Sequence, residues 1–151
     1  MLLVDAVLEI QDGATIVAVK NVTCNEPCFA HLSDSAPSSA YAYPPTLVIE
    51  SFCQAAGILA NRAREGDSRD TVMLFGSLSG FRFISPIHPG DRMEHHVLLE
   101  RMLADAAIFS GEVRVEGRVV ASAERVVVAL RSASVLDHAA GAHAPAVAEV
   151  R

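Results

Sequence analysis

Few side chains in this sequence can do chemistry, and the most suggestive of them share one spacing. Glu50, Gln54, Gly57 and Asn61 fall at i, i+4, i+7 and i+11, which places them on one stripe of a helix. Two apolar stripes flank it. Val48, Phe52, Ala55 and Leu59 make one; Ile49, Cys53, Ala56 and Ala60 make the other. A helix apolar on two sides is a buried helix. A carboxylate on such a helix is partly stripped of water, which raises its pKa and suits it to donate a proton. The alternative for Glu50 is a polar contact at a subunit interface, because carboxylates are almost never buried unpaired. Gln54, one turn on, can orient the carboxylate and is more easily read as structural than as catalytic.

The remaining reactive residues point less clearly. His31 is the one histidine in a long proline-containing segment, and a lone loop histidine is ordinarily a solvated surface residue. His88 lies in a Pro-Gly turn, where exposure is expected. His95 and His96 are neighbours in a strand-like run, so they face opposite ways and cannot form one site. The three cysteines are Cys24, Cys28 and Cys53. An odd count argues against a complete disulfide framework. Cys24 and Cys28 have no second Cys/His pair to close a structural zinc site. Neither a metal nor another cofactor is expected, and the thiols read as small hydrophobes in a reducing cytoplasm.

These residues need elements to hold them. Leu2–Ile10 and Ala14–Val22 read as strands joined by a hairpin turn at Asp12-Gly13. Residues 23–45 contain four prolines and no sustained periodicity, which makes a loop. At that length inside a compact domain, a functional loop is expected. The helix is predicted from Thr46 to about Glu65, with Pro44 and Pro45 at its start and Gly66 and Asp67 at its end. Strands follow at Thr71–Ile84, Arg92–Leu103, Ala106–Val115 and Arg118–Arg131, with turns at His88-Pro89-Gly90-Asp91 and Glu116-Gly117. Strand runs on both sides of one long helix imply an α+β fold with an antiparallel sheet. Residues 1–131 form one domain in this reading, and 132–151 a disordered tail.

Composition narrows the partners. The chain has 151 residues, 51% of them hydrophobic, no tryptophan and a net charge of −6. A single domain with an aliphatic core follows. The negative charge argues against nucleic acid and against an anionic membrane surface. No uncharged run reaches the roughly 18 residues of a membrane span. Met1-Leu2-Leu3-Val4 runs straight into Asp5 without a basic segment before it, so no signal peptide is read. The expected location is the cytoplasm.

Four segments in order carry a resemblance to a known family. They are Leu2-Leu3-Val4-Asp5; Val19 through Pro27, which reads VKNVTCNEP; Ile49 through Gly57, which reads IESFCQAAG; and Phe81 through Asp91, which reads FRFISPIHPGD. Together they resemble the bacterial 3-hydroxyacyl-acyl-carrier-protein dehydratases of the hotdog fold, over about residues 1–130. The resemblance implies a long helix wrapped by an antiparallel sheet, paired with a second hotdog subunit as a homodimer or heterodimer. It implies dehydration of a 3-hydroxyacyl thioester, carried on the phosphopantetheine arm of acyl carrier protein, in fatty-acid or polyketide-type biosynthesis. It places a catalytic acid at Glu50 and a catalytic base at His31, the two coming from different subunits. Pro45, Thr46 and Gln54 fall at substrate-binding positions. Arg82 reads as a strand charge that can meet the phosphopantetheine arm or the carrier.

The chemistry agrees with those roles. Dehydration removes a proton from the carbon next to the thioester carbonyl and protonates the departing hydroxyl, and a histidine with a carboxylate can do both. The family pattern breaks in the loop. Where the family has Gly-His-Phe-Pro-Gly-His-Pro and later Met-Pro-Gly, this chain has Ala30-His31-Leu32 and later Tyr43-Pro44-Pro45. Pro45 replaces a glycine whose N–H would polarise the carbonyl, and proline has no N–H; Thr46 N–H is the substitute donor. Two other functions are therefore kept open: a half-catalytic or non-catalytic subunit of a heteromeric dehydratase, and a thioesterase in which Glu50 activates water.

Overall fold

The computed structural model describes residues 1–33, 35–64 and 71–134. Its strands are β1 (Ala6–Gln11), β2 (Thr15–Asn21), β3 (Thr71–Phe83), β4 (Arg92–Met102), β5 (Ala106–Val115) and β6 (Arg118–Ser132). One long helix, α1 (Pro45–Ala63), stands between β2 and β3, after two short 3-10 turns at Pro27–Phe29 and Ser38–Tyr41. The strands make one antiparallel sheet in the order β1-β2-β4-β5-β6-β3. Helix α1 packs on its inner face, mainly against β4 and β2. This is the α+β hotdog arrangement. The expected helix end at Glu65, Gly66 and Asp67 lies outside the described residues, as do residues 135–151 of the expected tail.

The helix is buried as its pattern requires. Val48, Phe52, Ala55 and Leu59 are all essentially inaccessible, as are Ala56 and Ala60 of the second stripe. Around them the core is mostly aliphatic, with Ile16, Met93, Val97, Val113 and Val126 joined by Phe109. The β5–β6 hairpin turns through Glu116 and Gly117, both at positive φ, as a two-residue primed turn demands. At Gly111, opposite Val97, an added Cβ would run into the His96 carbonyl. Only glycine lets β4 and β5 stay paired there.

The first strand begins later than its apolar run suggests. Residues Met1–Val4 leave the sheet and lie across α1, while Asp5 N–H still bonds to Val19 O of β2. Leu3 and Val4 are buried there, whereas Val7 and Leu8 on edge strand β1 are largely exposed. Crossing the helix removes more apolar surface from water than extending an edge would. His88 also differs from expectation, being half-buried with its N–H donated to Asp91 Oδ2 at 2.8 Å.

His95 and His96 do face opposite ways. His95 is fully buried under α1, while His96 lies half-exposed on the outer face. His95 Nε2 is 2.8 Å from Ser51 Oγ, and Ser51 Oγ donates to the Val48 carbonyl at 3.3 Å. The tautomer protonated on Nε2 satisfies both bonds and leaves His95 Nδ1 as a bare, unpartnered acceptor. Burial, with a smaller contribution from His96, lowers the His95 pKa from 6.5 to about 4. A folded pKa below the unfolded one gives stability that is complete above about pH 6.5 and is lost as pH falls toward 4, about 3 kcal/mol in all. The urea midpoint of the native chain should therefore fall further between about pH 7 and pH 4 than that of the double variant Ser51→Ala, His95→Leu. Equal falls in the two proteins would show that His95 does not titrate in this window.

Candidate active site

Glu50 stands in the second turn of α1, where the helix surfaces between β3 and the N-terminal segment. Its side chain is exposed in the single chain and lies at one end of a groove of about 340 Å³. The stripe Glu50, Gln54, Gly57 and Asn61 forms one wall of the groove. Met73 and Phe75 of β3 form the other, and Leu2 stands over it from the N-terminal segment.

Gln54 fixes this geometry. Its Oε1 accepts the N–H groups of Leu3 at 2.7 Å and Val4 at 3.4 Å. That demand for oxygen turns the NH₂ end the other way, where it donates to Met1 O at 2.8 Å and to Glu50 Oε1 at 2.9 Å. Both hydrogens and both acceptor positions of the amide are used. Gln54 therefore holds Glu50 and ties down residues 1–4, with no polar group left over for a substrate. Cys53 lines the same groove. Burial, then the Glu50 carboxylate, push its thiol up to about 11, which keeps it protonated and a poor nucleophile.

The loop before the helix is anchored at both ends. Lys20, buried on the inner face of β2, pairs with Glu26 Oε1 at 2.6 Å and also donates to the Asn21 carbonyl. Phe29 packs on Tyr41 and Tyr43, with ring centroids 5.5 and 6.3 Å apart. Tyr43 N–H donates to Ile87 O at 2.7 Å. Phe29 and Leu32 both pack into the core, so His31, on the turn between them, faces solvent. It does not line the groove that holds Glu50. Within one chain, the structure does not bring His31 and Glu50 together.

The other expected site residues divide in the same way. Pro45 is the first residue of α1 and lines a second, mostly apolar cavity of about 310 Å³ with Val48, Tyr43, Phe83 and Ile84. Thr46 is exposed beside it. Leu47 and Val48 N–H both bond to Pro44 O, and the Thr46 N–H has no partner among the described residues. Arg82 pairs with Glu124 at 2.6 Å on the exposed face. Among the described residues no cluster of His, Cys, Asp and Glu could hold a metal ion, and no helix is long and apolar enough to cross a membrane. Leu2, Met73 and Phe75 were not expected at the site. Nothing in their types or spacing marks them, since only the strap across α1 and the path of β3 bring them to Glu50.

The chain matches the family model of the FabA-like domain over residues 1–124. It is 41% identical over 124 residues to the 3-hydroxyacyl-acyl-carrier-protein dehydratase FabZ of Dechloromonas aromatica, covering 82% of this chain and 83% of the relative. The chain belongs to the FabZ dehydratase family. A second FabZ, from Colwellia psychrerythraea, is 40% identical over 125 residues, covering 82% of this chain and 80% of the relative. Among solved structures the fold is similar to the dehydratase heterocomplex ApeI:P of Xenorhabdus doucetiae. There the TM-score is 0.65 at 18% identity, covering 92% of this chain and 89% of that one. It is also similar to a thioesterase superfamily member of Thermus thermophilus, with a TM-score of 0.68 at 13% identity, covering 89% and 93%. At such identities the two structures speak for the hotdog fold alone, and the FabZ relatives speak for the family.

The role of Gln54 is open to direct measurement. Gln54→Ala should speed amide exchange at Leu3 and Val4 and lower stability by about 1–2 kcal/mol, the usual cost of leaving part-buried donors unpaired. Unchanged protection at both amides would mean that packing alone holds the N-terminal segment.

Proposed function

We propose that this FabZ-family chain removes water from a 3-hydroxyacyl thioester held on acyl carrier protein, giving the 2-enoyl thioester, in fatty-acid or polyketide-type assembly. The observation that carries the reading is Glu50: a carboxylate at the mouth of a largely apolar groove, with a donor from Gln54 fixed on one oxygen. In the reaction a base takes a proton from C2 of the acyl group. That electron pair becomes the C2=C3 double bond, the C3–O bond breaks, and the hydroxyl leaves as water with the proton of Glu50. The Thr46 N–H, at the positive end of α1, is the donor we assign to the thioester carbonyl in place of the N–H that Pro45 lacks. The three free thiols fit a cytoplasmic setting.

A second subunit completes the site in this reading. Strand β3 is a long, unpaired edge of 13 residues, and Leu74 and Phe75 on it are exposed. Such an edge needs a partner or protection. A copy paired there would cover the Glu50 groove and shield the carboxylate from water. His31 of the partner subunit would then serve as base. A heteromeric dehydratase is the second reading, favoured by the outward-facing His31. In it another hotdog chain supplies the histidine to Glu50 of this one.

Incubation with a 3-hydroxyacyl carrier protein, followed by mass, separates the reactions: loss of water marks the dehydratase, and a free carrier thiol marks a thioesterase. Glu50→Gln should lower the rate of water loss by about 10²–10⁴ while the fold is kept. Turnover within a few-fold of the native chain would remove Glu50 as the acid. Light scattering should give a dimer at micromolar concentration, and His31→Ala should abolish turnover. A monomer that turns over only once a second hotdog chain is added, with His31→Ala making no difference, would overturn the homodimer in favour of the heteromeric enzyme.

A further inference from the structure

The groove that starts at Glu50 is polar only at its two ends. Glu50 and Gln54 stand at one end and Asn61 at the other, about 16 Å further along the helix. Between them the walls are apolar, with Ile58, Phe75 and Val128 among them. Strand β3 runs antiparallel to α1 here. Phe81 meets Phe52 edge-on at 5.9 Å near the helix start, whereas Met73 lies over Gly57 near its far half. A Cβ built on Gly57 would meet Met73 Cε at 3.5 Å and Sδ at 3.8 Å. Gly57 thus gives the groove a low floor, and the Met73 thioether lies across that floor about 10 Å from Glu50. A methionine is unbranched and adjustable, so it can close a groove without being locked in place.

We propose that Met73, lying across Gly57, is the end-stop that sets how long an acyl chain this protein accepts. The inference rests on the reading of Glu50 as the acid, which puts C3 of the acyl group at the Glu50 end and the rest of a straight chain along the apolar stretch. A chain that reaches Met73 fills the groove as far as the thioether. A longer one must displace the thioether before it can continue toward Asn61. The favoured substrates are therefore unbranched acyl groups of limited length. Gly57 is part of the same device, because any side chain there would raise the floor beneath Met73.

The test uses acyl-pantetheine thioethers of increasing chain length, which bind but cannot react, titrated by calorimetry into the native chain, Met73→Ala and Gly57→Ala. Each methylene that finds apolar cover should tighten binding by about fourfold. In the native chain the gain should stop at one length. Met73→Ala should carry the gain on for several further methylenes, over the remaining 6 Å or so to Asn61. Gly57→Ala, which suits a helix and puts its methyl in ordinary contact with Met73, should bring the stop to a shorter chain. The same limit in all three proteins, or no binding of any member of the series by the native chain, would overturn the proposal. Dehydration of the matching 3-hydroxyacyl thioesters by the native chain is measured alongside. Binding that follows Met73 without any water loss would sink the assigned reaction and leave the end-stop standing. Water loss with a limit that ignores Met73 would do the reverse.

Discussion

Helix α1 is held so deeply in the sheet that one of its stripes is wholly buried and a second, through Ala56 and Ala60, largely so, and the rest of the site depends on that. A helix buried this far can present function only along the line where cover is missing. Here that line is the gap between the sheet's β3 edge and the strap formed by residues 1–4. Glu50, Gln54, Gly57 and Asn61 occupy it. The apolar burial that stabilises the domain therefore also selects which helix residues can meet a ligand, these four with Cys53 and Ile58 beside them. Moving the helix by one residue would rotate its surface by about 100° and bury Glu50.

Three polar arrangements are embedded in this apolar setting, each bonded locally, although the third leaves His95 Nδ1 without a partner. Gln54 joins the N-terminal segment to the carboxylate. Lys20 and Glu26 pin the start of the loop below β2. Ser51 and His95 link helix to sheet. None of them is a cheap way to add stability, since desolvating charges and amides costs most of what the bonds return. What they add is definition. The first fixes an amide orientation, the second fixes where the long loop begins, and the third ties α1 to β4.

The loop shows how a chain can keep the fold of its family while changing the chemistry offered at one position. Phe29, Leu32, Tyr41 and Tyr43 join the loop to the main apolar core, so these parts of it are well packed even though its sequence departs from the family pattern. That packing turns His31 outward. Among the described residues, a single chain thus carries an oriented carboxylate with no histidine beside it in the groove.

The helix, its stripes and the antiparallel strands were legible in the sequence because periodicity reports burial directly, at 3.6 residues for α1 and near two for β4 to β6. Glu50 stood out for the same reason, as an acid on an apolar helix. The relation of His95 to His96 followed from the alternation of strand side chains alone. Other features had no local signal. The apolar run Leu2–Ile10 reads as one strand, yet its first part crosses the helix, because only the assembled core shows where Leu3 and Val4 bury best. Met73 becomes a groove wall through the path of β3 past Gly57. His31 faces outward because Phe29 and Leu32 compete for the same interior. The sequence by itself determined which residues must be inside and which helix stripe stays polar, since those depend on residue type and local period. Tertiary structure alone decided what stands opposite that stripe, because contacts between residues far apart in the chain depend on how the elements share one limited interior.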